Sequence, residues 1–222
     1  MLNKQGKGKI DWTDYTWNPI SGKCLHNCQY CYMHSFWKRY PDMAEQQIKG
    51  NYLHDKFPKK PSKIFVGSST DMWGEWVPSD WIWRIINKTK YNSRHTFQFL
   101  TKNPERYAEF FDGLPENAWF GTTIDGTDFT KKNAERLLMS TSPSDTCFVS
   151  FEPLIKYPYV KNMEFSLFDW IIIGADSSMG AKRPPKEWAD ELIRHARSND
   201  IPVWVKDNYG YPEIIKEFPK QK

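Results

Sequence analysis

Between residues 63 and 206 the sequence repeats one pattern: a short apolar run, a polar break, then a stretch with helical character. Lys63-Ile64-Phe65-Val66-Gly67, His95-Thr96-Phe97-Gln98-Phe99-Leu100, Ala118-Trp119-Phe120-Gly121-Thr122-Thr123, Cys147-Phe148-Val149-Ser150-Phe151, Trp170-Ile171-Ile172-Ile173-Gly174 and Pro202-Val203-Trp204-Val205-Lys206 read as strands. The helices that follow are expected over 78–90, 104–111, 128–139 and 186–198, the first opened by Pro78 and the third capped by Thr127 or Asp128. Residues 10–19 alternate apolar and polar positions and stop at Pro19, which places a first strand there. Strands alternating with helices at this spacing argue for parallel βα units. Seven such strands fall one short of a closed eightfold barrel. The expected fold class is therefore α/β, a partial, open TIM-like (β/α) barrel of about six to seven parallel strands.

The rest of the chain fits around that frame. Residues 1–9 are basic and are expected as a flexible arm, with 10–222 as a single domain. Residues 32–49 mix helix and loop, broken at Tyr40-Pro41, and the charged, proline-rich 51–61 suggest a surface excursion. No apolar run approaches the ~18 residues that span a bilayer, and the basic N-terminus lacks the apolar core of a signal peptide. The expected location is cytoplasmic and reducing, with no membrane partner. A net charge of +4 permits a nucleic-acid partner without demanding one. Eleven Trp suit core and rim packing better than a row of base-stacking platforms.

In barrels of this kind chemistry sits at the C-terminal ends of the strands. Polar residues gather there: Gly67-Ser68-Ser69-Thr70-Asp71, Thr101-Lys102, Thr122-Thr123 with Asp125, Ser150 with Glu152, Gly174-Ala175-Asp176-Ser177, and Lys206-Asp207-Asn208. After the first strand comes Cys24-Leu25-His26-Asn27-Cys28-Gln29-Tyr30-Cys31, which holds three of the four cysteines at C-x3-C-x2-C spacing. Clustered soft thiolates select zinc, copper(I) or iron–sulfur clusters. A [4Fe–4S] cluster normally takes four cysteines, so three leave one iron open to a substrate. A closed zinc site recruiting His26 or His34 is the alternative. Three clustered cysteines and one remote one make a poor disulfide framework. Cys147 reads as a buried core thiol, and His26 as a solvent-facing residue of the loop.

The cysteine spacing, with Tyr30 just before Cys31, resembles the radical S-adenosylmethionine (SAM) superfamily. That resemblance implies a [4Fe–4S] cluster on Cys24, Cys28 and Cys31 whose open iron chelates SAM, and cleavage of SAM to methionine and a 5′-deoxyadenosyl radical. Thr16-Trp17-Asn18-Pro19, Phe99-Leu100-Thr101-Lys102-Asn103-Pro104, Val149-Ser150-Phe151-Glu152-Pro153 and Ile173-Gly174-Ala175-Asp176-Ser177 look like landmarks of a phage and bacterial branch of unknown function, over residues 10–210. The branch's usual Gly-Gly-Glu-Ser-Gly is here Gly174-Ala175-Asp176-Ser177-Ser178, and its Phe-Lys-Gln-Trp-Gly-like close is Val205-Lys206-Asp207-Asn208-Tyr209-Gly210. Ser69-Thr70-Asp71 and Leu100-Thr101-Lys102 are similar to the spore photoproduct lyase side of the superfamily, which acts on DNA.

By the same resemblance, Tyr30 shields the cluster or packs on the adenine, and the Tyr32 backbone reaches the adenine edge. Ser68, Ser69, Thr70 and Asp71 hold the SAM amino group, and Lys102 binds its carboxylate or an anionic substrate. Ser150 and Glu152 take the ribose hydroxyls, and Asp176 and Lys206 stand on the substrate side. An electron donor of flavodoxin or ferredoxin type is implied as a partner. The substrate expected is a nucleic acid or nucleotide, with Lys102, Arg106, Lys182, Arg183 and Lys206 as cations and Trp73, Trp76 and Tyr209 as stacking aromatics. A small metabolite or peptide substrate is a further alternative, and so is a zinc-bound, non-catalytic nucleic-acid-binding module.

Overall fold

The computed structural model describes residues 2–6, 8–158, 160–178 and 180–220. In chain order its regular elements are β1 (Leu2–Lys4), β2 (Tyr15–Trp17), β3 (Ile20–Ser21), α1 (Met33–Arg39), β4 (Gln47–Ile48), β5 (Lys63–Val66), α2 (Ser79–Lys90), β6 (Thr96–Thr101), β7 (Ala118–Thr123), α3 (Asn133–Met139), β8 (Thr146–Phe151), β9 (Trp170–Ile173), α4 (Lys186–Arg197) and β10 (Val203–Val205). Strands β2, β5, β6, β7, β8, β9 and β10 lie side by side in that order, each parallel to the next. These are the seven expected parallel strands of a partial TIM-like barrel. β3 and β4 form a separate antiparallel pair beside the cysteine loop.

Strand alternation sorts side chains onto two faces. Ile64, Val66, Phe97, Phe99, Phe120, Val149, Ile171, Ile173, Val203 and Val205 join one core with Ile82, Ile85, Ile86, Leu137, Ala189 and Leu192 of the helices. The intervening residues Phe65, Trp119, Phe148, Trp170, Ile172 and Trp204 form a second cluster with Trp12 that includes no helical residue, so it fills the barrel interior. Gly121 makes room there, since a Cβ at that position would lie 2.3 Å from the Phe148 ring. Both faces are buried, as a parallel sheet requires.

Several local expectations change. The N-terminal arm, expected to be flexible, lies on the sheet edge: Leu2–Lys4 pairs antiparallel with Tyr15–Trp17. Farther along, Asp11 accepts from Trp204 Nε1 at 3.2 Å and meets Lys216 Nζ at 2.5 Å, so this segment reaches the last strand. The tail adds to the same edge, with Val205 N donating to Ile215 O and Phe218 packing on Trp119, Trp170 and Trp204. The excursion at 51–61 is anchored in the core: Tyr52 is buried, Trp17 Nε1 donates to Asp55 at 2.9 Å, and Phe57 packs on Trp17 and Phe97. The helix expected over 128–139 begins only at Asn133. Thr127 and Thr130 donate their hydroxyls to Asp125 instead, and that local alternative holds residues 127–130 in turns. The segment after β6 is a 3-10 helix, Pro104–Gly113.

Candidate active site

The cysteine loop leaves β3 and crosses the C-terminal ends of β5, β6 and β7. Asn27 turns it with a positive φ of 49°, a conformation Asn tolerates better than most residues. Three side chains fasten it to the barrel. His26 Nε2 lies 2.9 Å from Asp71 Oδ2, and the ring packs edge-on to Trp76 and Phe129. Tyr30 donates its hydroxyl to Asp125 at 2.5 Å, and Tyr32 donates to Ser68 O at 2.8 Å. His26 is thus buried rather than facing solvent, with 8 % of its side chain exposed.

Cys24, Cys28 and Cys31 are free, partly buried thiols lining one cavity of about 240 Å³. The same cavity is lined by Tyr30, Tyr32, Ser68, Ser69, Thr70, Asp71, Lys102, Glu152 and Asp176. Burial, reinforced by the nearby Asp71 carboxylate, pushes the Cys24 thiol up to about 11. Burial also raises Cys28, with Lys102 acting against it. Among the described residues, no group of three or more His, Cys, Asp or Glu side chains converges on a single metal position. His26 is engaged by Asp71, and a ring nitrogen of His34 lies 2.7 Å from Cys28 O. Cys147 is buried far back on β8, within 3.2 Å of Thr141 Oγ1.

Two carboxylates organise the mouth. Asp71 accepts from His26, from Thr101 Oγ1 at 2.7 Å, from Lys102 N at 3.0 Å and from Trp73 N at 3.0 Å. Burial pulls its carboxyl upward, but the bonds from His26, Lys102 N–H and Thr101 outweigh it, and the pKa falls below the ordinary range. Asp125 behaves alike: burial raises it, while Thr127, Thr130 and Tyr30 lower it further. The sequence placed Asp125 only by its strand end; its spacing to Thr127 and Thr130, which suits a side-chain-capped turn, is the signal that could have found these bonds. For the pairing of His26 with Asp71, 45 residues apart, there was none.

Ser68 and Ser69 are set by Asn18, which bonds the Ser68 hydroxyl and accepts from Ser69 N. Thr70 is buried with its hydroxyl unpartnered. Lys102 places its ammonium 5.5 Å from the Tyr30 ring centre. Glu152 and Lys206 form an ion pair across the mouth. Gly174 makes it possible, because a Cβ there would lie 2.9 Å from Glu152 Cγ and Cδ and 3.1 Å from Lys206 Cδ. Asp176 accepts from Ser178 N in its own loop. Ser150 does not line the cysteine cavity; it lines a larger one of about 900 Å³ on the barrel's inner side, which Tyr32, Ser68, Ser69, Lys102 and Glu152 border as well.

The expected belt of cations and stacking aromatics is not assembled. Arg106 is buried and donates to Gly74 O and Val77 O. Trp73 is enclosed by Phe99, Tyr107 and Phe110, and Trp76 packs against His26. Tyr209 is buried and donates to Pro185 O, and Arg183 packs beside Gly210. Of the named cations, only Lys102 and Lys206 line the cavities.

No helix among the described residues is long and apolar enough to cross a membrane. The fold is similar to that of spore photoproduct lyase. A variant of that enzyme with bound AdoMet and dinucleoside spore photoproduct superposes with a TM-score of 0.60 at 12 % identity, covering 90 % of this chain and 78 % of that one. The enzyme complexed with dinucleoside spore photoproduct gives 0.59 at 11 % identity, and a further variant with the dinucleoside 0.61 at 12 %, both over the same shares of the two chains. No curated protein matches the sequence. A family model described as a protein of unknown function, DUF5131, matches residues 7–221, and the chain belongs to that family.

Proposed function

We propose that the chain is a radical SAM enzyme acting on a nucleic acid or nucleotide. The observation that carries this reading is that three free thiols line one cavity at the C-terminal mouth of a seven-stranded parallel barrel. The donor set fits a [4Fe–4S] cluster: three soft sulfur ligands lining one cavity, with the fourth cysteine, Cys147, buried away on β8. Cys24, Cys28 and Cys31 would hold the cluster, which would supply the electron for reductive cleavage of SAM.

The chain's own residues divide the remaining work. Lys102 is oriented by its N–H to Asp71 and by Asn133, which donates to its carbonyl, so its ammonium can take the SAM carboxylate by a charge-assisted bond. The unpartnered Thr70 hydroxyl, with Ser68 and Ser69, suits the SAM amino group. Asp71 orients these residues and the cysteine loop. Glu152 gives one oxygen to Lys206 and can offer the other to a ribose hydroxyl. Asp176 and Lys206 remain substrate-side groups. The solved neighbours hold a dinucleoside, which supports the substrate class. An electron donor of flavodoxin or ferredoxin type would approach the loop at Leu25, which is exposed beside Cys24.

The test is anaerobic reconstitution with iron and sulfide, then SAM and dithionite. Visible iron–sulfur absorption and release of 5′-deoxyadenosine are expected, both lost on replacing Cys24, Cys28 or Cys31 with Ala and both retained in Cys147→Ala. A colourless protein that takes up only zinc would overturn the proposal.

A further inference from the structure

The inner cavity has a floor that the proposed chemistry at the cysteines does not use. Its volume of about 900 Å³ is in the range of ligand sites. Trp12 and Ser150 line it, are 2 % and 0 % exposed, and leave Trp12 Nε1 and Ser150 Oγ without a hydrogen-bond partner. A buried polar atom without a partner is costly, and native chains rarely keep one for no purpose. Two residues that line one cavity, each holding such an atom, point to a ligand.

The surroundings define its chemistry. Acidic groups on the wall already have cations: Glu152 pairs with Lys206, while Asp11 and Asp207 both meet Lys216. Lys9, at the rim, donates to Lys4 O. Lys102, which also borders the cavity, can serve an anionic substituent such as a phosphate, while Trp12 and Ser150 carry no charge, so the part bound against them is neutral. Phe65, Leu100 and the Trp12 ring add apolar wall. The indole N–H can only donate, so the ligand brings an acceptor, whereas the Ser150 hydroxyl suits either role. A flat, uncharged ring carrying a carbonyl or ring-nitrogen acceptor meets these requirements.

Building on the reading above, we propose that this floor binds a nucleobase, with Trp12 Nε1 and Ser150 Oγ as its specificity-determining contacts. Asn3, Gln5, Ile10 and Asp11 of the N-terminal segment wall the cavity. The base therefore enters singly, as a free nucleoside or as one extruded from a strand.

The experiment is equilibrium dialysis of the reconstituted full chain against thymidine, cytidine, adenosine and guanosine, with lysine and ribose 5-phosphate as charged comparators. At least one nucleoside should bind saturably, and more tightly than either comparator. Ser150→Ala and Trp12→Phe should each weaken that binding about tenfold, the loss of one hydrogen bond, with SAM binding unchanged. Ser150→Ala removes only an unpaired buried hydroxyl, so its melting temperature should hold even where Trp12→Phe fails to fold. Displacement by an oligonucleotide would identify an extruded base; no displacement would identify a free nucleoside. Failure of all four nucleosides to bind a protein that binds SAM, or unchanged nucleoside binding in Ser150→Ala, would overturn the inference alone. Absent cluster and SAM binding, with nucleoside binding intact, would overturn the enzymatic reading and leave this one standing.

Discussion

Replacing Asp71 by Asn keeps the side chain's shape and removes what it does. The carboxylate is 9 % exposed and accepts four hydrogen bonds, two of them from backbone N–H groups on different oxygens. An amide can be placed either way round, yet its NH2 must then face the N–H of Lys102 or that of Trp73, donor against donor. Hydrogen bonds to a charged acceptor are worth about 1.5–3 kcal/mol each, and a buried donor left unpaired costs about 1–3 kcal/mol. These terms are coupled and do not simply add. A total of about 3–5 kcal/mol follows for a buried carboxylate whose donors lose their charged acceptor, the scale seen when a buried charge network is broken. At about 2–4 °C per kcal/mol for a chain of this size, the melting temperature should fall by about 6–20 °C. His26→Ala removes one of the four bonds and should cost less. The double variant should lose less than the sum, since the singles break a shared contact. Circular dichroism melts of the metal-free protein at neutral pH read all three. A melting temperature within about 2 °C of wild type, with SAM binding weakened, would refute the positioning role and make Asp71 a direct ligand of the SAM ammonium.

Tyr30→Phe removes the bond to Asp125 while leaving Thr127 and Thr130 in place, so a loss of about 1–2 kcal/mol in denaturant unfolding is expected, with iron content after reconstitution reduced. Gly174→Ala sets a methyl group against the Glu152–Lys206 pair and should lower affinity for a substrate lying over it, measured by dialysis, with the iron–sulfur absorption after reconstitution intact. Asp71 and Asp125 both have folded pKa values below the ordinary 3.8, so their stabilisation is complete above that value and disappears as pH falls through the folded values. Acid titration should therefore show a transition below about pH 4 that shifts to higher stability relative to wild type in neither Asp71→Asn nor Asp125→Asn, but becomes shallower in both.

Much of the architecture was legible because it depends on local chemistry. Apolar runs of four to six residues bounded by Gly, Pro and polar breaks define strands, and the intervening helical stretches force parallel pairing by right-handed crossover. Hence the seven parallel strands, α2 and α4 stand where the pattern put them. The third helix did not, because Asp125 captured Thr127 and Thr130 and the chain there turned instead of coiling. The N-terminal arm defied its composition too. A basic segment without apolar periodicity has no reason to order alone, but the open edge of β2 offers it a hydrogen-bonding partner.

The same division runs through the site. Sequence by itself determined the three-cysteine loop and the collection of polar residues at the strand ends, because ligand type and strand polarity are properties of neighbours in the chain. Tertiary structure alone decided which of those residues meet: His26 with Asp71 across 45 positions, Tyr30 with Asp125 across 95, and Lys206 with Glu152 across 54. It also buried Trp73, Arg106 and Tyr209 in packing, away from the mouth their composition suggested. The physical reason is that a curved parallel sheet gathers strand ends remote in sequence, and a side chain's partners then follow from the curvature of the sheet rather than from the spacing of the letters.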